Sequence, residues 1–265
     1  MPASRSPKPI ARPARRSYGW LVAAALLAAV IFIVSALPAS IALRFLPKDI
    51  RADDASGTLW HGSFAQVTVR GRQIGALEWR LHPLPLFTGA LNADVRWIKQ
   101  GFVLDAVLAA RGNEVSAQEI NGGGAIEDLA ELGITRGWTG TVHVAIPELR
   151  VDAQKIRAAA GTIKIEALKS KRFGDADVGG YELSFTPESV QPDGSALAQV
   201  RDLGGPLQLT GALTIAPAQS LATFSGAVKE RTPLPPQLQQ EFENLVQMRG
   251  RDAQGRVPLE IEFAL

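Results

Sequence analysis

The sequence predicts a mainly β protein: one N-terminal transmembrane helix, then a curved, largely antiparallel β-sheet domain with one or two short helices. Three observations carry this expectation. A run of 20 residues, Tyr18–Leu37, contains no charge. Most of the chain beyond it alternates apolar and polar residues with period two. The alternating runs are separated by Gly, Pro and Asn turn signals, mostly without helical segments between them.

Helical residues rise about 1.5 Å each, so 20 of them span roughly 30 Å, the hydrocarbon thickness of a bilayer. Arg5, Lys8, Arg12, Arg15 and Arg16 precede the run, and the first acidic residue is Asp49. The positive-inside rule keeps that basic flank cytoplasmic and sends the bulk of the chain across the membrane. Tyr18 and Trp20 suit an aromatic belt at the cytoplasmic interface, and Leu37 closes the span. Two other readings compete for the segment. A cleavable signal peptide has an apolar stretch of about 7–15 residues and a small-x-small site, whereas this run is longer and Ser40-Ile41-Ala42 is a mediocre site. A buried core helix of a water-soluble domain would show a polar face, and this run is apolar all round. No second run of comparable length occurs, so a single pass is expected. The domains follow: 1–17 a disordered basic tail in the cytoplasm, 18–37 the transmembrane helix, 38–265 a β-rich domain on the far side.

The formal net charge is +2, but the average conceals a division. Beyond the anchor, 23 of the 28 Lys and Arg remain against all 26 Asp and Glu, a net −3 with the signs interspersed. No basic stripe is left for nucleic acid. The chain has no cysteine, which excludes disulfides and thiolate metal sites. About 225 residues bury a sizeable core without such staples.

The strands are read from their alternation. Leu77, Trp79 and Leu81 alternate with Glu78, Arg80 and His82, and Leu91, Ala93, Val95 and Trp97 with Asn92, Asp94 and Arg96. The pattern returns at 142–146, 163–165, 181–185, 207–209 and 213–215. It closes with Val257, Leu259, Ile261, Phe263 and Leu265, where Glu260 and Glu262 face the other way. Turn signals fall at 83–85, 121–124, 193–194 and 204–206. Gly75, Gly140, Gly161 and Gly211 each open a segment that runs into a strand. Two helices are expected, a weak one over 125–132 and a better one over 235–248. In the second, Leu238, Phe242, Leu245 and Val246 form an apolar stripe, with Pro235 and Pro236 at the start and Gly250 at the end.

The sequence carries no recognisable catalytic or metal-binding constellation. His61, His82 and His143 are the only histidines, and none stands at metal-ligand spacing from another ligand. Asp175-Ala176-Asp177 opens like a calcium loop but lacks its later ligands and its glycine. No nucleophile elbow, Walker loop or dinucleotide fingerprint occurs. No catalytic residue, metal ligand or cofactor is expected. Trp79 and Trp97 fall on the apolar parity of their strands and belong to the core; Trp60, between glycines, is a candidate partner anchor.

Ser56-Gly57-Thr58-Leu59-Trp60-His61-Gly62, followed by Gly75 to Pro83 with Trp79 inside it and by Leu86 to Gly89, resembles a known family. The likeness returns at Gly179 to Leu183 and at Asp202-Leu203-Gly204-Gly205-Pro206-Leu207 through Gly211. It ends at the helix over 238–248 and Asp252 to Arg256. The family is the N component of the bacterial type II secretion system, often called GspN. The resemblance implies a non-enzymatic, single-pass inner-membrane protein with its N-terminus cytoplasmic and a periplasmic β-rich domain. Its partners would be other inner-membrane secretion components and the outer-membrane secretin, in a machine that exports folded proteins. A second reading is a periplasmic lipid-binding or lipid-transfer protein of the AsmA type, whose curved sheet shields acyl chains with an apolar face.

Overall fold

The structure, a computed structural model, describes residue 29 and residues 32–132, 136–152 and 154–264. The chain divides into two units, Met1–Leu37 and Pro38–Leu265. In the first, residues 32–35 are helical. Among the described residues no helix is long and apolar enough to cross a membrane. Tyr18, Trp20 and most of the run assigned to the anchor lie outside the described residues; Leu37 is half-buried.

The second unit is one sheet of 13 antiparallel strands hydrogen-bonded in chain order. They are β1 (Ile50–Gly57), β2 (His61–Val69), β3 (Arg72–His82), β4 (Leu91–Lys99), β5 (Phe102–Arg111), β6 (Glu114–Ala125), β7 (Trp138–Asp152), β8 (Lys155–Ser170), β9 (Ala176–Phe185), β10 (Ala196–Gly204), β11 (Leu207–Ala216), β12 (Leu221–Glu230) and β13 (Val257–Ala264). Most connections are too short for the crossover that a parallel pair needs, so neighbouring strands run antiparallel. The β12–β13 connection, residues 231–256, is long enough and carries a helix, yet its strands also pair antiparallel. The β2–β3 turn shows the local chemistry: Arg70 and Gly71 both have positive φ, at 50° and 80°, as a two-residue hairpin turn with the right twist requires.

The register separates two faces across the whole sheet. One line of cross-strand partners runs Ala55, Phe64, Leu77, Trp97, Leu104, Gly122 and on through Val144, Ile163, Leu183, Val200, Gly211, Gly226 and Leu259. It is apolar at every strand. The adjacent line runs Ser56, Ser63, Glu78, Arg96, Asp105 and Asn121, then Ala145, Thr162, Ser184, Gln199, Ala212, Ser225 and Glu260, and is polar at every strand but the two that carry Ala145 and Ala212. A slip of one residue in any pair would mix the two lines, so burial of one face holds the register.

The apolar face carries the core, and two segments cover parts of it. A 3-10 segment, Ile126–Leu132, lays Ile126 against Phe102 and Val142. The helix Pro236–Arg249 buries Leu238 and Phe242 against Val178, Tyr181, Leu207, Val228 and Val257. Pro235 is its extended N-cap, and the Gly250 N–H closes its end on the Val246 carbonyl at 2.8 Å. The weaker expected helix therefore exists only as a 3-10 segment, and Ala125 belongs to β6.

Two sequence expectations are corrected. Gly122, Gly123 and Gly124 form no turn; they lie inside β6. Lacking Cβ atoms, Gly122 and Gly123 let the backbones at Val103 and Val142 press in from the two sides. Gly75, Gly140, Gly161 and Gly211 do not open strands but sit within β3, β7, β8 and β11. Gly140 stands where the β7–β8 register shifts, the ordinary place for a residue without a side chain in a sheet interior.

Candidate functional site

The motif around Trp60 is a lock at one corner of the sheet. Thr58 and His61 close the β1–β2 turn, with the Thr58 N–H donating to the His61 carbonyl at 2.8 Å and the His61 N–H to the Thr58 hydroxyl at 3.1 Å. Leu59 and Trp60 form its tip. Trp79 on β3 reaches across, its indole N–H donating to the Leu59 carbonyl at 2.9 Å while its ring lies 4.6 Å from that of Phe64. A Cβ on Gly62 would collide with the Trp79 ring and stand 2.7 Å from the Thr58 carbonyl. The Leu81 N–H donates to the Trp60 carbonyl at 2.8 Å. Gly57, Thr58, Leu59, Gly62 and Trp79 thus form one packing unit. Pro83 starts the next connection as the first residue of a short helix, Pro83–Leu86.

The second motif is a lock at the opposite end of the strands. Asp202 accepts from the Gly204 N–H at 3.1 Å and from the Arg231 guanidinium at 2.6 Å. The Arg231 N–H donates to the Pro206 carbonyl at 2.8 Å. Gly205 has φ 125° and faces Gly179 so closely that neither admits a side chain. Leu207 descends into the core beside Tyr181, whose hydroxyl donates to the Val178 carbonyl at 2.8 Å. Gly211 pairs with Gly226 under the Phe224 ring.

Burial, and after it the carboxylates of Asp202 and Asp177, push the Tyr181 phenol up to about 12 from an ordinary 10.0. The folded protein holds the neutral phenol, so this stability is complete below pH 10 and is lost as pH rises from about 10 to 12. A loss of roughly 2–3 kcal/mol is expected over that window. Denaturant titrations should show wild type and Tyr181→Phe converging in alkali, with the variant lacking this component of the fall.

A concavity of about 690 Å³ lies on the polar face over β1–β6. Glu78, Asp94, Asp105 and Glu119 line it with Arg80 and Arg96. Its charges pair across strands: Arg96 with Asp105 at 3.5 Å, and His82, beside the groove, with Asp94 at 3.0 Å. These side chains are about half exposed, which is the behaviour of a solvated strand face rather than of a desolvated catalytic centre. Among the described residues no group of three His, Asp or Glu side chains is placed to hold a metal ion. His143 lies 4.0 Å from Glu166, and His61 lines the groove. The pairings of His82 and His143 join residues too far apart in sequence for spacing to reveal.

The family model described as type II secretion system (T2SS), protein N, matches residues 48–260. The chain belongs to this family. It is 29% identical over 253 residues to the type II secretion system protein N of Vibrio cholerae serotype O1 (strain ATCC 39315 / El Tor Inaba N16961), covering 93% of this chain and 86% of that relative. No solved structure gives a significant match.

In this chain the matched span runs from just before β1 into β13 and contains both locks. Three further surfaces stand outside them. An apolar cavity of about 350 Å³ lies among Leu149, Val151, Ile156, Phe185, Ala196 and Ile215. The outer edge of β13 is unpaired among the described residues. The β3–β4 connection carries Leu84, Leu86 and Phe87 into solvent. The sequence marked that connection only as a turn, though a turn made of Pro-Leu-Pro-Leu-Phe in place of polar residues was the available signal.

Proposed function

We propose that this protein is a non-enzymatic, single-pass protein of the bacterial inner membrane. Residues 1–17 are cytoplasmic, 18–37 span the bilayer, and 38–265 form a periplasmic surface on which other inner-membrane secretion components assemble, with the secretin as a further partner. The observation that carries the assembly role is the β13 edge. The Arg231 N–H bonds to Pro206, so alternate residues of β12 from Arg231 back face β11, and those between face β13. In the register of β12 and β13, Val257, Leu259, Ile261 and Phe263 then bond to β12, while Pro258, Glu260, Glu262 and Ala264 turn outward. Pro258, which lacks an N–H, fits that assignment. The outward groups form a template for an added strand. Ile261 and Phe263, 43% and 48% exposed, offer apolar contact beside it. The β1 edge differs: it carries Arg51, Asp53 and Asp54, and Asp54 has φ 53°, features that blunt an edge.

A photo-crosslinker at Glu260, followed by purification from native membranes in mild detergent, tests this role. Recovery of secretion components is expected, with loss on Glu262→Pro, which removes an outward N–H and leaves the β12 ladder intact. Recovery of none of them would refute the assembly role. The 350 Å³ apolar cavity favours a second reading, lipid binding, because a cavity lined by apolar side chains stays dry and accepts hydrocarbon. The same preparation decides it: phospholipid at one per chain supports lipid binding, and lipid-free protein rejects it.

A further inference from the structure

Leu84 and Phe87 are 77% and 88% exposed, and Leu86 between them is 42% exposed. Their loop is nevertheless well braced. The Phe87 N–H donates to the Leu84 carbonyl at 3.2 Å and the Gly89 N–H to that of Leu86 at 3.1 Å. The Thr88 hydroxyl and the Ala90 N–H both donate to the Pro85 carbonyl, at 2.8 and 3.1 Å. From β5, the Arg111 guanidinium donates to the Thr88 carbonyl at 3.3 Å. Three apolar side chains are thus held out in water by a network that gains nothing from their exposure. Polar residues would serve an ordinary tip better.

The position of the loop in the fold says what covers it. Pro38, where the chain enters the sheet unit, bridges Thr58 in the β1–β2 turn. In a meander, connections alternate between the two ends of the strands, so the β1–β2 and β3–β4 connections share one end. At a strand spacing of about 4.8 Å, β3 and β4 lie roughly 10–15 Å from β1. The Leu81–Trp60 hydrogen bond sets the Leu59–Trp60 tip level with the start of the β3–β4 connection, so residues 83–90 reach beyond it. The uncharged run ends at Leu37, one peptide bond before Pro38.

We propose that Leu84, Leu86 and Phe87 insert into the periplasmic leaflet of the bilayer that holds the anchor, as a second membrane contact. A run that spans the bilayer and ends at Leu37 leaves Pro38 at the lipid surface, and with it the end of the sheet that carries this tip. Apolar side chains on a surface element enter the headgroup and upper acyl region to about 5–10 Å. Arg111, one step behind the tip, then lies at the level of the lipid phosphates. Two attachment points restrain the sheet where one would let it swivel, and so fix the direction in which the β13 edge faces. This inference rests on the anchored reading above.

The chain has no cysteine, so a single Phe87→Cys substitution takes one environment-sensitive fluorophore cleanly. The full chain is reconstituted in vesicles of phosphatidylethanolamine and phosphatidylglycerol, with Arg136→Cys, before β7 at the opposite end of the strands, as the comparison site. The expected result is blue-shifted emission at position 87, quenched by nitroxide lipids and shielded from aqueous iodide. The label at position 136 should show the reverse. Adding Leu84→Ser and Leu86→Ser should return the label at 87 to the aqueous spectrum, with an unchanged thermal midpoint. A label at 87 that is iodide-accessible while the protein resists alkaline extraction overturns the tip and leaves the anchor standing. Protein lost on alkaline extraction overturns the anchor itself. A label shielded only after secretion-system membrane proteins are added assigns the tip to a protein partner and overturns the lipid.

Discussion

Replacing Phe242 by alanine is expected to lower stability by about 3–5 kcal/mol, the usual cost of truncating a buried aromatic side chain. Phe242 is 5% exposed and belongs to the core cluster of Val178, Tyr181, Leu207, Val228, Leu234, Leu238 and Val257. Its ring also lies 5.4 Å from the Arg251 guanidinium carbon. The helix it belongs to has 14 residues, a length marginal for a helix alone in water. Its docking therefore depends on this contact and on Leu238. Denaturant titration of the full chain in detergent measures the loss, and hydrogen exchange locates it. Amides of residues 236–249 should exchange faster than those of β3–β5. A loss below about 1 kcal/mol would mean that the ring site repacks, outside the range seen for such truncations.

Replacing Trp79 by alanine should cost about 2–4 kcal/mol, somewhat below the range for a fully buried aromatic because the ring is half-buried, with a different local signature. The indole supplies three things: the hydrogen bond to the Leu59 carbonyl, the contact with Phe64, and the plane on which Gly62 rests. Its removal leaves the carbonyl unpaired and opens the corner between β1, β2 and β3. Hydrogen exchange should show early opening of residues 50–69 while the helix over 236–249 stays protected. Trp79→Phe keeps much of the packing but not the hydrogen bond, so it should recover more than half of the loss. Equal losses for Ala and Phe would assign the whole effect to the hydrogen bond and refute the packing account.

How far these sites were legible in the sequence differs by element. The parity of Leu77, Trp79, Val95 and Trp97 identified the apolar face because a strand's side-chain period is a property of the local backbone. The helix over 236–249 was legible within a residue of its true start, since prolines and glycine mark helix ends by their own dihedral limits. Gly122–Gly124 misled because consecutive glycines are compatible both with a turn and with a strand pressed between close neighbours. Only the neighbours distinguish the two. The Trp60 motif was recognisable as a family signature, yet its physical content, an indole closing on Gly62 and Leu59, appeared only with β3 alongside. The exposed tip over 84–87 left one signal, apolar residues where a turn favours polar ones, and that signal was ambiguous for the same reason. An apolar turn residue is unremarkable until its surroundings show that nothing packs on it.

The sequence by itself determined the class of this protein. It supplied the uncharged run, the period-two alternation, the absence of cysteine and the ordered motifs, all of them properties of residues and their near neighbours. The tertiary structure alone decided how many strands join in one sheet, that a single register carries one apolar line from β1 to β13, and which edge is left unpaired. It also decided which connections share the end at which Pro38 enters. Those are relations between whole strands, passed from each strand to its neighbour by backbone hydrogen bonds and shared burial, and a linear pattern carries no record of them.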